Sequence, residues 1–331
     1  MGPLLTGIKP TGETHLGNYI GAIKPALDLA QKSKDKSYLF IADSHCLTSL
    51  FNAQEVRDSV KNVAATWLAC GLDINKTVFY KQSDIPELFE LNWILSCLTP
   101  KGLMNRAHSY KAKLDQNKEL GRKDLDDGVN MGLYSYPVLM AADILLFSAR
   151  TIPVGEDQVQ HLEMTRDIAQ KFNRIYKKEL FTIPEALFQK ANVLLGLDGR
   201  KMSKSYNNYL PLFCESKRLR KLIMKIKTDS SPPELAKETK DCLIFNTYKN
   251  FASEKEILEL EKKYKEGIGW GDAKQCLFEK LESFFKDKKE RYNFYKDNYH
   301  EVEKVLKEGQ EKARSVAIPF LKEIKKIVGI S

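Results

Sequence analysis

The chain has 331 residues, 43% hydrophobic and 29% charged, with a net charge of +9, a make-up that excludes intrinsic disorder and suffices for two packed units. No stretch reaches the roughly 18 consecutive apolar residues of a membrane span, and the longest candidate, Pro137 to Phe147, is interrupted by Asp143. The first residues turn polar too soon for a secretory signal and lack the Arg and Ser of a transit peptide, so a cytoplasmic location is expected.

Apolar, β-rich runs recur in the first half: Leu4 to Thr6, Tyr38 to Ala42 and Thr77 to Tyr80, with a helix-length segment, Gln54 to Cys70, before the third. Buried central strands need apolar residues on both faces, as Tyr38 to Ala42 supplies, and crossover helices then cover the two sides. The pattern predicts an α/β catalytic domain over residues 1–212, built on a doubly wound, Rossmann-like parallel sheet. From Leu114 to Asn130 the chain is polar and charged, and a mobile surface insertion is expected there. The run Asp124-Leu125-Asp126-Asp127-Gly128 is not a calcium loop, because its glycine comes one place early and no glutamate closes it.

After Pro211 the periodicity turns helical, which predicts a C-terminal α-helical domain over 213–331. Ser253-x-x-Glu256 is a capping box, followed by Ile257, Leu260 and Tyr264 and stopped by Gly267. Ala273, Leu277, Leu281 and Phe284 continue the helical spacing, as do Val302, Val305 and Leu306, then Phe320, Leu321, Ile324 and Val328. Charge is uneven: residues 1–200 hold 24 Lys and Arg against 23 Asp and Glu, whereas 201–331 hold 29 against 21. That surplus points to a polyanion met by the second half, although Lys217, Arg218, Arg220, Lys221, Lys225 and Lys227 also suit the wet face of a helix. The six cysteines are dispersed and form no C-x-x-C pair, so reduced, mostly buried thiols are expected and no metal cage is.

Two motifs carry chemistry. Thr6-Gly7-Ile8-Lys9-Pro10-Thr11-Gly12-Glu13-Thr14-His15-Leu16-Gly17-Asn18 leads a strand into a glycine-rich loop and a helix start, which aims backbone N–H groups at an anion. A small residue at 17 lets a planar base approach, while His15 and Asn18 offer donors. Far downstream, Gly196-Leu197-Asp198-Gly199-Arg200-Lys201-Met202-Ser203-Lys204-Ser205 places two lysines three apart on a flexible loop that can swing point charges onto a triphosphate. Asp143, read alone, suits a helix cap or paired core carboxylate as well as a ligand contact. His45 reads as a loop histidine, Met140 as core, and nothing singles out His108 or His161.

The H-L-G-N and K-M-S-K-S elements together resemble the signature pair of class I aminoacyl-tRNA synthetases. Residues 132–167, from Gly132-Leu133-Tyr134-Ser135-Tyr136-Pro137 through Met140-Ala141-Ala142-Asp143-Ile144-Leu145-Leu146 to Asp167, are similar to the tryptophanyl pattern nearly letter for letter. Ile41-Ala42-Asp43-Ser44-His45 and Gly155-Glu156-Asp157-Gln158 add independent matches, so the whole chain resembles the bacterial-type tryptophanyl-tRNA synthetases. The tyrosyl enzymes share the fold and signatures but lack the Met140-to-Leu146 run. A non-catalytic RNA-binding paralogue is the contrary reading, against which Lys201, Lys204 and Asp143 stand intact.

The resemblance implies that L-tryptophan and ATP give tryptophanyl-adenylate, then tryptophanyl-tRNA(Trp), in a homodimer. Mg²⁺ would be held mainly by the ATP phosphates, with no protein metal site. His15, Gly17, Asn18, Met202 and Lys9 would hold the nucleotide, and Lys201, Lys204 and Lys113 the reacting phosphates. Tyr136 and Gln158 would grip the α-amino group with help from His45, Met140 would lie on the indole face, and Asp143 would accept the indole N–H. Leu5 would complete the tryptophan pocket. Bacterial members often carry threonine in place of His15 and glutamine in place of Lys9. Some carry an iron-sulfur cluster on four C-terminal cysteines, whereas only Cys242 and Cys276 lie in that region here, so no cluster is expected.

Overall fold

In a computed structural model that describes residues 2–10, 12–155, 158–188 and 194–331, the chain opens with strand β1 (Leu4–Ile8) and helix α1 (Leu16–Asn18). A π-helical turn, Tyr19–Ile23, carries α1 into α2 (Lys24–Lys32), followed by β2 (Ser37–Ile41), α3 (Asp43–Cys46), α4 (Ala53–Ala69) and β3 (Thr77–Lys81). A 3₁₀ turn, Gln82–Asp84, leads to α5 (Pro86–Leu98), α6 (Lys101–Met104), α7 (His108–Glu119) and α8 (Met131–Leu146). Then come β4 (Thr151–Val154), α9 (Val159–Tyr176), β5 (Glu185–Phe188) and, among the described residues, only helices: α10 (Ser216–Met224), α11 (Leu243–Tyr248), α12 (Glu254–Glu266), α13 (Trp270–Asp297) and α14 (Tyr299–Val328).

The five strands pair in the order β3-β2-β1-β4-β5, all parallel, with Leu5 opposite Tyr38 and Tyr38 opposite Val78. The winding reverses between β1 and β4, and such a switch point opens a crevice at the carboxyl ends of the strands. Strand side chains alternate between faces. Leu4, Leu39, Ile41 and Phe79 accordingly enter one buried cluster, while Leu5, Tyr38, Phe40, Val78 and Tyr80 enter the other. Both clusters take residues from either side of 212: Leu277 and Leu306 join the first, Ala317 and Ile324 the second. The helical half is therefore packed onto both faces of the sheet.

α14 lies along the edge strand β3, which shields unpaired backbone groups. Gly309 makes this approach possible, since a Cβ there would stand 1.7 Å from the Phe79 carbonyl oxygen. Arg314 then reaches the buried Glu87 at 2.8 Å, and Gln310 donates to the Asp84 carbonyl at 3.1 Å.

The stretch 114–130 is helical as far as Glu119, and beyond it the Asn117 amide donates to the carbonyls of Leu125 and Asp127 at 2.7 Å. The expectation of mostly buried thiols needs correction. Only Cys46 and Cys70 are buried; Cys97 is exposed and the other three lie between, all as free thiols. Among the described residues no helix is long and apolar enough to cross a membrane.

Candidate active site

At the switch point lies a cavity of about 540 Å³. The turn after β1 brings Lys9 to it, α3 brings His45, and α8 brings Tyr136, Met140 and Asp143; Leu5 and Gln158 also line it. These seven residues, separated by up to 153 positions in sequence, line one cavity.

Asp143 is 1% exposed, and its carboxylate is held by two protein donors. His45 Nε2–H donates to Oδ2 at 3.0 Å, and Gln82 Nε2 lies 2.9 Å from both oxygens. The Gln82 oxygen in turn accepts from the His45 backbone N–H at 3.3 Å. Burial pushes the Asp143 carboxyl above the usual carboxylate range, and the bonds from His45 and Gln82 oppose this. Among the described residues Oδ1 carries only the Gln82 contact, which leaves it a lone pair to spare.

Tyr136 and Gln158 meet at His161. The phenol O–H donates to His161 Nε2 at 2.9 Å, while His161 Nδ1–H donates to the Gln158 oxygen at 3.2 Å. This tautomer is the one that satisfies both partners, and it turns the phenol oxygen into an acceptor. Lys9 donates to the hydroxyls of Thr48 and Ser49 at 3.1 Å, and burial lowers its ammonium pKa.

The two signature motifs also converge. Gly17 N–H meets the Met202 thioether at 3.4 Å, and a Cβ on Gly12 would lie 3.7 Å from Lys204 Nζ. The Met202 thioether thus stands against the Gly17 backbone, and the space a Cβ on Gly17 would take is bordered by the His15 ring at 3.0 Å. His15 and Asn18 cap one another: Asn18 N–H donates to His15 Nδ1 at 3.3 Å and His15 N–H to Asn18 Oδ1 at 3.1 Å. With Nδ1 accepting, the neutral ring keeps a proton on Nε2. Burial, with Lys204 nearby, pushes this imidazole down to about 4, and burial likewise lowers the Lys204 ammonium.

The profile of the family described as tRNA synthetases class I (W and Y) matches residues 3–286. The chain belongs to this family. It is 48% identical over 328 residues to the tryptophan–tRNA ligase of Neisseria meningitidis, covering 99% of this chain and 97% of that one. The ligase of Pseudomonas aeruginosa is 48% identical over 330 residues, covering 99% of this chain and 73% of that one. Campylobacter jejuni tryptophanyl-tRNA synthetase, solved with ADP and tryptophan, superposes with a TM-score of 0.90 at 42% identity over 99% of both chains. Tyrosyl-tRNA synthetase from Archaeoglobus fulgidus, at 19% identity and a TM-score of 0.63, shares the fold.

Not every residue expected at a class I synthetase site gathers here. Lys113 does not line the cavity; its ammonium donates to Gln116 at 3.2 Å, one turn along α7. Lys201 is exposed. Glu156 and Asp157 of the Gly155-to-Gln158 match lie outside the described residues. Three polar anchors carry no signature in the sequence. Gln82 is fully buried directly after an apolar strand, a position at the carboxyl end of the sheet that could have drawn notice. His161 follows Gln158 by three, one helical turn on. Asn208, 3% exposed, accepts from Ser203 N–H at 2.8 Å and donates to Asp198 at 2.7 Å, which shapes the K-M-S-K-S loop.

Proposed function

We infer that this protein is a tryptophan–tRNA ligase that activates L-tryptophan with ATP and passes it to tRNA(Trp). The observation that carries the choice of amino acid is the buried carboxylate of Asp143 in the cavity lining, the only carboxylate there among the described residues, with an acceptor position still open. Indole offers one N–H donor and no acceptor, whereas an apolar pocket alone separates aromatic rings by only about 1–3 kcal/mol. A charge-assisted bond to Asp143 supplies the difference, since phenylalanine leaves that carboxylate without its last partner. Leu5 and Met140 contact the ring, and the oxygens of Tyr136 and Gln158 accept from the α-ammonium.

Little covalent chemistry falls to the protein. A tryptophan carboxylate oxygen attacks the α-phosphorus of ATP, the bond from that phosphorus to the bridging oxygen breaks, and pyrophosphate leaves. Catalysis then rests on alignment and on charge stabilisation of the phosphate oxygens by Lys204 and Lys201, and no general base is required. The His15 Nε2–H and the backbone at Gly17 and Asn18 serve the nucleotide, with Lys9 at the junction with the amino acid. Met202 moves with its loop as the base enters. Lys113 would join the phosphates only on leaving Gln116. ATP arrives with Mg²⁺ held by its own phosphate oxygens. In the second step a terminal ribose hydroxyl of the tRNA attacks the adenylate carbonyl and displaces AMP.

A homodimer is supported by the apolar side chains that α5 leaves uncovered, Phe89 at 39% and Trp93 at 70% exposure, and two-fold pairs are the commonest assembly. Free cysteines suit a reducing, cytoplasmic setting. The test of the reading is exchange of labelled pyrophosphate into ATP with tryptophan, with tyrosine and with neither. Exchange is expected with tryptophan alone; a stronger response to tyrosine, or none to either, overturns it.

A further inference from the structure

We propose that Gln82 is the positioning residue that selects the ring N–H of the substrate, by holding the Asp143 carboxylate so that Oδ1 keeps acceptor capacity for that N–H. The proposal rests on the reading of Asp143 as the indole partner. Gln82 opens the 3₁₀ turn after β3 and is 0% exposed. Its Nε2 is 2.9 Å from each Asp143 oxygen, and a donor equidistant from both opposes rotation of the carboxylate about its Cβ–Cγ bond. His45 adds a second donor on Oδ2 only. Of the two oxygens, Oδ1 is therefore the one with spare capacity.

The amide has one workable orientation. Its oxygen accepts from the His45 backbone N–H; flipped, it would set an oxygen against the carboxylate and an NH₂ against that N–H. One neutral group thus fixes the carboxylate and ties it to the segment that carries the other donor, His45. Neutrality matters. A lysine here would pair with the carboxylate and compete with the substrate, while a carboxylate would repel it. Gln82 also supports the form of Asp143 that can accept, because its hydrogen bond counters the effect of burial.

The discriminating ligand pair is L-tryptophan and L-β-(3-benzothienyl)alanine, which keeps the shape and puts sulfur in place of the ring N–H. With wild-type protein, kcat/KM in pyrophosphate exchange should favour tryptophan by about tenfold or more, the worth of one hydrogen bond to a charged group. Gln82→Met keeps the volume and removes both polar ends. It should bring the ratio to within about threefold, chiefly through a higher KM for tryptophan, with KM for ATP unchanged. If both amino acids lose equally and the ratio holds, Gln82 only supports the fold and the proposal fails. If wild-type protein shows no preference, the reading of Asp143 fails first and takes the proposal with it. Should Gln82→Met not fold, Gln82→Glu keeps the acceptor for His45 and exchanges only the donor; a ratio that survives it overturns the proposal equally.

Discussion

Replacing Gly309 by alanine inverts the usual effect of that change. In an ordinary helix interior, Gly→Ala stabilises by about 1 kcal/mol. Here the new Cβ would stand 1.7 Å from the Phe79 oxygen and 2.6 Å from its carbonyl carbon, both backbone atoms of β3. Neither can turn aside as a side chain does, so α14 must retreat by more than an ångström. Ala313 and Ala317, both 0% exposed, lie on the same face and would lose contact. Glu87, with 8% of its side chain exposed, would lose some of its pairing with Arg314, which is 37% exposed and so can follow it in part. Overpacking of this kind costs about 1–3 kcal/mol or more, and with the weakened ion pair we expect a net loss of about 2–4 kcal/mol. For a chain of this size that is a fall in Tm of several degrees. Gly271→Ala is the control, because a Cβ at Gly271 meets no atom within 4 Å. Thermal unfolding followed by circular dichroism would refute the packing argument if Gly309→Ala melted at or above the wild-type temperature.

Three further outcomes are expected. Lys204→Ala should slow adenylation by about 2–4 kcal/mol of barrier, by analogy with loss of an oxyanion donor, and leave ground-state tryptophan binding nearly intact; normal single-turnover kinetics would remove Lys204 from the site. His15 stays neutral in the fold down to about pH 4 against an ordinary 6.5, so the unfolded chain binds the extra proton between those values. The stability this contributes is complete above 6.5 and drains as pH falls towards 4, and His15→Asn should flatten that part of the urea-midpoint curve; parallel curves would count against it. Raising salt from 50 to about 200 mM should weaken tRNA binding far more than tryptophan binding, as titrations with each ligand would reveal; equal responses would remove the basic helical half from the tRNA interface.

The central strands could be read from the sequence because β2 is apolar at almost every position and buried throughout. β4 and β5 escaped notice for opposite reasons. β4 is four residues long and contains Pro153, while β5 is an edge strand whose ends, Glu185 and Phe188, are exposed. The resemblance named the residues at the cavity because the stretches that carry it, 41–45 and 132–167, are each local. Gln82 and His161 act through partners 61 and 25 positions away, contacts that no local pattern encodes. The same limit applies to the boundary at 212, where composition changes but packing does not: α13 and α14 bury their apolar faces against the sheet and its helices.

The most direct measurement is transfer of labelled amino acid to unfractionated tRNA in the presence of ATP. Acid-precipitable tryptophan that depends on ATP and on tRNA is expected, with tyrosine and phenylalanine at background. Charging with tyrosine, or tryptophan-dependent pyrophosphate exchange with no transfer to tRNA, would contradict it.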